Sequence, residues 1–214
     1  MLKMNYKIGA LIIGSVMLSG CVAPVLVGGA AVTTATVVTD RRTAGAIVSD
    51  EVIEQTVYYD IKKAFSEQQD KNSHISVTSY DGKVLLSGEV PNYATKELAG
   101  RTARSSTDVA SVVNELAVMP TTSAAQRLSD SLLATKVRTA LIGTKQVSLN
   151  QMKVTVDRGI VYLMGIVTEQ ESRIAAKRVS EVSGVVRVVK LFSVESEAEV
   201  ARRLRNVKRN DPEL

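Results

Sequence analysis

From Glu51 onward two rhythms alternate along the chain. Apolar residues first recur at helical spacing, at Val57, Ile61, Ala64 and Phe65. Two runs of alternating apolar and polar residues follow and meet at Asp81-Gly82, where glycine supplies the positive φ of a tight hairpin turn. The same succession returns at Leu133, Val137, Ala140 and Leu141, with a second hairpin at Arg158-Gly159. Ile75–Val90 aligns with Met152–Val167 at a constant offset of 77: Val77 and Thr78 match Val154 and Thr155, and Gly82, Val84 and Gly88 match Gly159, Val161 and Gly165. Asp108–Val118 aligns with Gly184–Val194 at an offset of 76. The sequence is therefore a tandem repeat.

Each copy then predicts a second helix, opened in the second copy by the capping box Thr168-Glu169-Gln170-Glu171, and a closing strand. The fold class is α+β: two tandem αββαβ domains over residues 51–119 and 128–195, each a three-stranded mixed sheet with two helices on one face. Residues 196–214 form a charged tail whose spacing Val200, Leu204, Val207 predicts a terminal helix. Gly88 and Gly165 end their strands where a helix or neighbouring backbone comes too close for a Cβ, which makes them, with Gly82 and Gly159, structural glycines.

The amino end is of another kind. Lys3 and Lys7 precede an apolar run, Ile8–Leu18, too short for the roughly 20 residues of a spanning helix and typical of a secretory signal. Leu18-Ser19-Gly20-Cys21 is similar to a bacterial lipobox, which implies cleavage after residue 20 and acylation of Cys21, the single cysteine of the chain. Val22 follows, where Asp would favour the inner membrane, so the resemblance implies the outer membrane, facing the periplasm. Residues 21–50, rich in Ala, Val, Thr and Gly and polar at Asp40-Arg41-Arg42, read as a lipidated tether with an r.m.s. span on the order of 30 Å.

The paired V-x-L-x-G-x-V strands (Val84–Val90, Val161–Val167) and the terminal V-x-x-V-V pattern resemble BON domains. With the lipobox and the Asp40–Gly45 segment, the chain resembles the dual-BON-domain outer-membrane lipoproteins over nearly its full length. That resemblance implies binding to anionic phospholipid and support of envelope integrity, including at the division site, and implies no enzymatic activity.

Composition agrees with a non-enzyme. His74 is the only histidine; it stands at a strand start with carboxylates only in nearby loops, and reads as a surface residue rather than a general base. No His/Cys cluster offers metal ligands, no glycine-rich loop offers a phosphate cradle, and we expect no cofactor. With no Trp and 4% aromatic residues, stacking on nucleic acid is not expected.

The two copies serve as controls for one another. Glu51–Val118 carries 7 Lys and Arg against 10 Asp and Glu, a net of −3, whereas Ser129–Val194 carries 10 against 5, a net of +5. At 100° per residue, Leu128, Leu132, Thr135, Thr139 and Ile142 fall on the side of the second copy's first helix away from its sheet, with Lys136 and Arg138 at the flanks. Aligned at an offset of 76, the first copy has Val52, Thr56, Tyr59, Lys63 and Ser66 there, a scaffold without the stripe. An outward apolar stripe with basic flanks suits a lipid interface. It also suits an interface with the first domain, or with an envelope protein if the molecule is a scaffold regulating outer-membrane assembly or septal peptidoglycan remodelling.

Overall fold

The computed structural model describes residues 40–210. The signal segment, Cys21 and the tether as far as residue 39 lie outside the described residues.

The first domain runs α1 (Ala44–Ala64), a short α2 (Glu67–Lys71), β1 (His74–Tyr80), β2 (Lys83–Val90), α3 (Tyr93–Ser105), β3 (Ser111–Asn114) and β4 (Ala117–Val118). The second runs α4 (Ala124–Ile142), a 3-10 turn (Leu149–Gln151), β5 (Met152–Asp157), β6 (Ile160–Val167), α5 (Glu169–Ser180) and β7 (Arg187–Val194); α6 (Glu197–Asn210) follows. In each sheet the first two strands are antiparallel and the third runs parallel to the second, the αββαβ order expected from the repeat. The third strand of the first domain is interrupted at Glu115-Leu116 without a change of register, since both β3 and β4 pair with β2.

Each hairpin turns on two residues with positive φ: Asp81 at 53° and Gly82 at 73°, Arg158 at 51° and Gly159 at 72°. That is the backbone twist a two-residue hairpin needs. A side chain cannot stand at Gly88 or Gly165 for a different reason. A Cβ there would come 2.0 Å from the carbonyl oxygen of His74 or 2.4 Å from that of Gln151, so the crowding neighbour is backbone in both cases, of strand β1 at Gly88 and of the 3-10 turn leading into β5 at Gly165.

Period-two alternation gives every strand two faces, and in the central strands β2 and β6 both are buried. Val84, Leu86 and Val90 meet Ile53, Val57 and Ile61 of α1 in one core; Val161, Leu163 and Val167 meet Leu133, Val137 and Leu141 of α4 in another. The opposite faces meet each other in a third core of Tyr80, Leu85, Tyr162, Met164 and Ile166. The order of layers is helices, sheet, sheet, helices. Between the edge strands β1 and β5, Thr78 and Thr155, equivalent positions of the repeat, touch hydroxyl to hydroxyl at 3.2 Å.

Two expectations are corrected. Asp40–Asp50, read as the end of a tether, is folded: α1 begins at Ala44 behind the N-cap Thr43, and Asp40, Arg41 and Arg42 are buried. Arg41 crosses to the second domain, donating to the Ile166 carbonyl at 2.8 Å and pairing with both oxygens of Glu171 at 2.8 Å. Arg42 stays with the first, bridging Asp40 and Asp50 and lying 3.9 Å over the Tyr80 ring. The charge of these three residues is spent inside the seam between domains, where apolar periodicity leaves no trace.

The second correction is the alignment of the first helices. Their buried residues are Asp50, Ile53, Val57 and Ile61 in α1 and Asp130, Leu133, Ala134, Val137 and Leu141 in α4, an offset of 80 rather than 76. An offset wrong by one helical turn preserves the apolar spacing and so escapes a periodicity argument. At the true register Leu128, Leu132 and Thr139 correspond to Val48, Val52 and Tyr59, each about 60% exposed. The first domain is therefore not bare of outward apolar residues.

Candidate functional site

The first helix of each domain is fixed by a carboxylate that the apolar pattern did not reveal. Asp130 accepts from the backbone N–H groups of Arg158 and Gly159, both at 2.9 Å, and so ties α4 to its hairpin. Asp50 does the same for Asp81 at 2.8 Å and Gly82 at 3.0 Å, with the Ser79 hydroxyl donating at 2.6 Å. Burial opposes the charge of Asp50, but these donors and Arg42 outweigh it and hold the carboxyl below the usual range. The sequence signal was the repeated dipeptide Ser49-Asp50 and Ser129-Asp130, which also marks the offset of 80.

With Asp130, Leu133, Val137 and Leu141 turned inward, the rotation of α4 is set. Leu128, Leu132 and Ile142 are 63%, 58% and 71% exposed, and the first domain does not cover them. The interdomain contact is made by the sheets instead. Thr135 and Thr139 are also exposed, and their hydroxyls donate to the carbonyls of Ser131 and Thr135, one turn back, at 3.1 and 3.0 Å. Their polar atoms are thus satisfied on the helix itself, which lowers the cost of desolvating that face and leaves methyl groups outward. Lys136 stands exposed on one flank; on the other, Arg138 is held along the helix by donating to the Val154 carbonyl at 2.9 Å.

The corresponding face of α1 has Val48, Val52 and Tyr59, but Thr56 and Tyr58 occupy the positions of Lys136 and Arg138. Greasiness at these three positions does not separate the twins. The difference lies at Ile142, whose place in the first helix is taken by Lys62, paired with Asp70.

His74 lies 3.6 Å from Glu89 with its ring part-exposed, on the interdomain side of β1. Glu171 closes the capping box with Thr168 and also holds Arg41; these bonds outweigh burial and keep its carboxyl below the usual range. Val200 and Val207 of α6 are buried, and Arg203 reaches Asp81 at 3.6 Å and Glu195 at 2.7 Å. Arg202, Arg205, Lys208 and Arg209 remain exposed along α6. No helix among the described residues is long and apolar enough to cross a membrane.

Two αββαβ units joined sheet to sheet, the second offering a basic-flanked helix, define a tandem α+β repeat protein. The BON domain family matches residues 49–120 and 129–196. The chain is 38% identical to the outer membrane lipoprotein DolP of Haemophilus influenzae, over 87% of this chain and 94% of that protein. It is 31% identical to a 21 kDa hemolysin of Actinobacillus pleuropneumoniae over 72% and 78% of the two chains. Among solved structures, CdsD of the type III secretion system of Chlamydia trachomatis aligns with 69% of this chain and 95% of its own length, at 12% identity and a TM-score of 0.29, too distant to argue from. The chain belongs to the dual-BON-domain outer-membrane lipoprotein family, and its location is the outer membrane. Neither relative is named as an enzyme.

Proposed function

We propose that this lipoprotein docks on anionic phospholipid through the outer face of α4 and thereby supports the integrity of the envelope, including at the division site. The acylated Cys21 anchors it, facing the periplasm, and the second domain supplies the headgroup-sensitive contact. One observation carries the reading: Leu128, Leu132 and Ile142 stand exposed between Lys136 and Arg138 on a helix whose outward hydroxyls are already satisfied. Apolar side chains on such a face enter the acyl boundary while cations meet phosphates. The net charge of +5 on the second copy against −3 on the first favours the same side of the molecule.

A second reading rests on Val48, Val52 and Tyr59, which the layer order turns away from the α4 side. A protein partner could sit there while α4 is on lipid, as a scaffold in outer-membrane assembly or septal peptidoglycan remodelling requires. A photo-crosslinking residue at position 132 separates the two for α4: lipid adducts are expected, and adducts to a single polypeptide instead would make the α4 face a protein interface.

A further inference from the structure

The free edges of the two sheets are guarded differently. In a two-residue hairpin the residues flanking the turn, Tyr80 with Lys83 and Asp157 with Ile160, form a hydrogen-bonded pair, and bonding alternates from there. His74, Ser76 and Thr78 therefore spend their backbone groups on β2, while Ile75, Val77 and Ser79 turn theirs outward. The same parity turns Met152, Val154 and Val156 outward from β5. Both β1 and β5 are edge strands, so no further strand meets these groups.

Two of the outward groups are capped by side chains of the neighbouring helix. Glu54 of α1 accepts from the Ser79 N–H at 2.7 Å, and Arg138 of α4 donates to the Val154 carbonyl at 2.9 Å. Val77 is the repeat equivalent of Val154, and at the helix offset of 80 Tyr58 stands where Arg138 does. A phenol in that place does not cap the carbonyl. Among the described residues, the outward N–H and C=O groups of Ile75 and Val77 have no hydrogen-bond partner.

This opening has a shape as well as donors and acceptors. Ile75, Ser76 and Val77 form one wall of a groove of about 290 Å3, and Glu54, Gln55 and Tyr58 of α1 form the other. On the far side of the strand, Ser76, Val77 and Thr78 border a cleft of about 640 Å3. Donors and acceptors alternating at strand spacing, with room on both sides for side chains, fit an extended main chain. A second copy of this chain fits poorly. Pairing β1 with β1 about a twofold axis would set two α1 helices side by side, with Glu51 and Glu54 of each facing those of the other. Lys153 lies 3.4 Å from Glu51 and 2.7 Å from Glu54 and offsets only one negative charge. The charge that remains, in a domain of net −3, favours a basic incoming side chain.

We propose that β1 accepts an added strand: an extended, basic segment of another protein, paired through its main chain with Ile75 and Val77, its alternate side chains entering the α1 groove and the cleft. This goes beyond the docking of α4 on lipid, uses none of its apolar residues, and stands or falls separately.

The test uses the chain from residue 21 carrying Cys21→Ser, without vesicles, and the end-blocked, fluorescently labelled peptide Thr-Val-Lys-Val-Thr-Val-Lys. Binding is read by anisotropy and by amide shifts, expected at Ile75 and Val77. Methylating the peptide nitrogens at odd or at even positions gives two twins. One twin should bind about tenfold more weakly and the other within about twofold, because only one parity of N–H faces β1. Tyr58→Arg copies the cap of the second domain and should weaken binding of the unmethylated peptide about tenfold, whereas Leu132→Glu should leave it unchanged. Ile75→Pro is the independent variant: it removes an outward N–H without touching the ladder between β1 and β2, and should weaken binding about fivefold. Absence of binding, equal loss from both methylated twins, loss from neither, or affinity retained by both edge variants overturns the proposal. A peptide affinity that falls with Leu132→Glu overturns it as well, since the site would then lie on α4.

Discussion

Leu132→Glu is the most direct test of the α4 face. Leu132 exposes 58% of its surface, and with its neighbours Leu128 and Thr135 it forms the middle of the stripe. That exposure is about 100 Å2, so withdrawing it from water into an acyl boundary is worth about 2.5 kcal/mol at ~25 cal/mol/Å2. Full immersion is an upper limit, and about two-thirds of the figure is realistic for a helix lying in the interface plane. A carboxylate at the same place adds repulsion from anionic headgroups of about 1 kcal/mol. The sum approaches 3 kcal/mol, or about a hundredfold in the vesicle partition coefficient. Co-sedimentation of the Cys21→Ser chain with phosphatidylglycerol-containing vesicles measures it. Because the side chain contacts no core and Glu is a good helix former, the thermal midpoint should hold, equivalent to a change within ~0.5 kcal/mol. A loss smaller than threefold in a folded variant would refute the argument that α4 is the docking element.

Asp130→Ala should destabilise the protein by about 3 kcal/mol, since it leaves two hairpin N–H groups without their acceptor, and urea denaturation reads the change. Gly165→Ala should cost about 3 kcal/mol or more because its Cβ would lie 2.4 Å from the Gln151 oxygen; a variant as stable as the parent would contradict the strand spacing. Acid titration of stability has a definite sign. Asp50 and Glu171 have carboxyl pKa values held low in the folded state, so the stability they contribute is present above the ordinary carboxylate range and is lost as pH falls through their depressed values. Burial, with Glu89 nearby, outweighs Arg158 and raises that of Asp157, so its contribution runs the other way and weakens the fold as pH rises past the ordinary range. Asp50→Asn should flatten the acid limb of a thermal-midpoint profile, and an unaltered slope would show that Asp50 is not held low. Reversing the exposed charges of α6 with Arg202→Glu and Arg205→Glu tests its part in vesicle binding better than deleting the helix, because Val200 and Val207 are buried; an unchanged affinity would exclude those two arginines from the lipid contact.

The strands and hairpins could be read from the chain because side chains alternate with a period of two, which ties register to composition, and Gly82, Gly88, Gly159 and Gly165 repeat at one offset. Helices are less constrained. A slip of one turn leaves Val57 and Ile61 over apolar partners, and only the buried acids Asp50 and Asp130 decide between offsets of 76 and 80. The contact between sheets was also present in the sequence, though unread: Val161 to Val167 is apolar at nearly every position, as a strand covered on both faces must be. What local pattern could not supply was the destination of charge. Arg41 finds Glu171 130 residues away, a pairing that only the assembled seam creates. The outward rotation of Leu128, Leu132 and Ile142 was legible because the inner stripe of α4 left no other side for them.

Arg41 and Arg42 give the molecule a mechanical property. These neighbouring residues grip different domains, one through Glu171 and Ile166 and the other through Asp40 and Asp50, at the point where the chain arrives from its amino end. Any pull transmitted along the backbone from a bilayer is therefore divided between both halves as it arrives, and strains the clasp before either core. Arg41→Ala would leave the load on the first half alone, and under force the two sheets should part sooner.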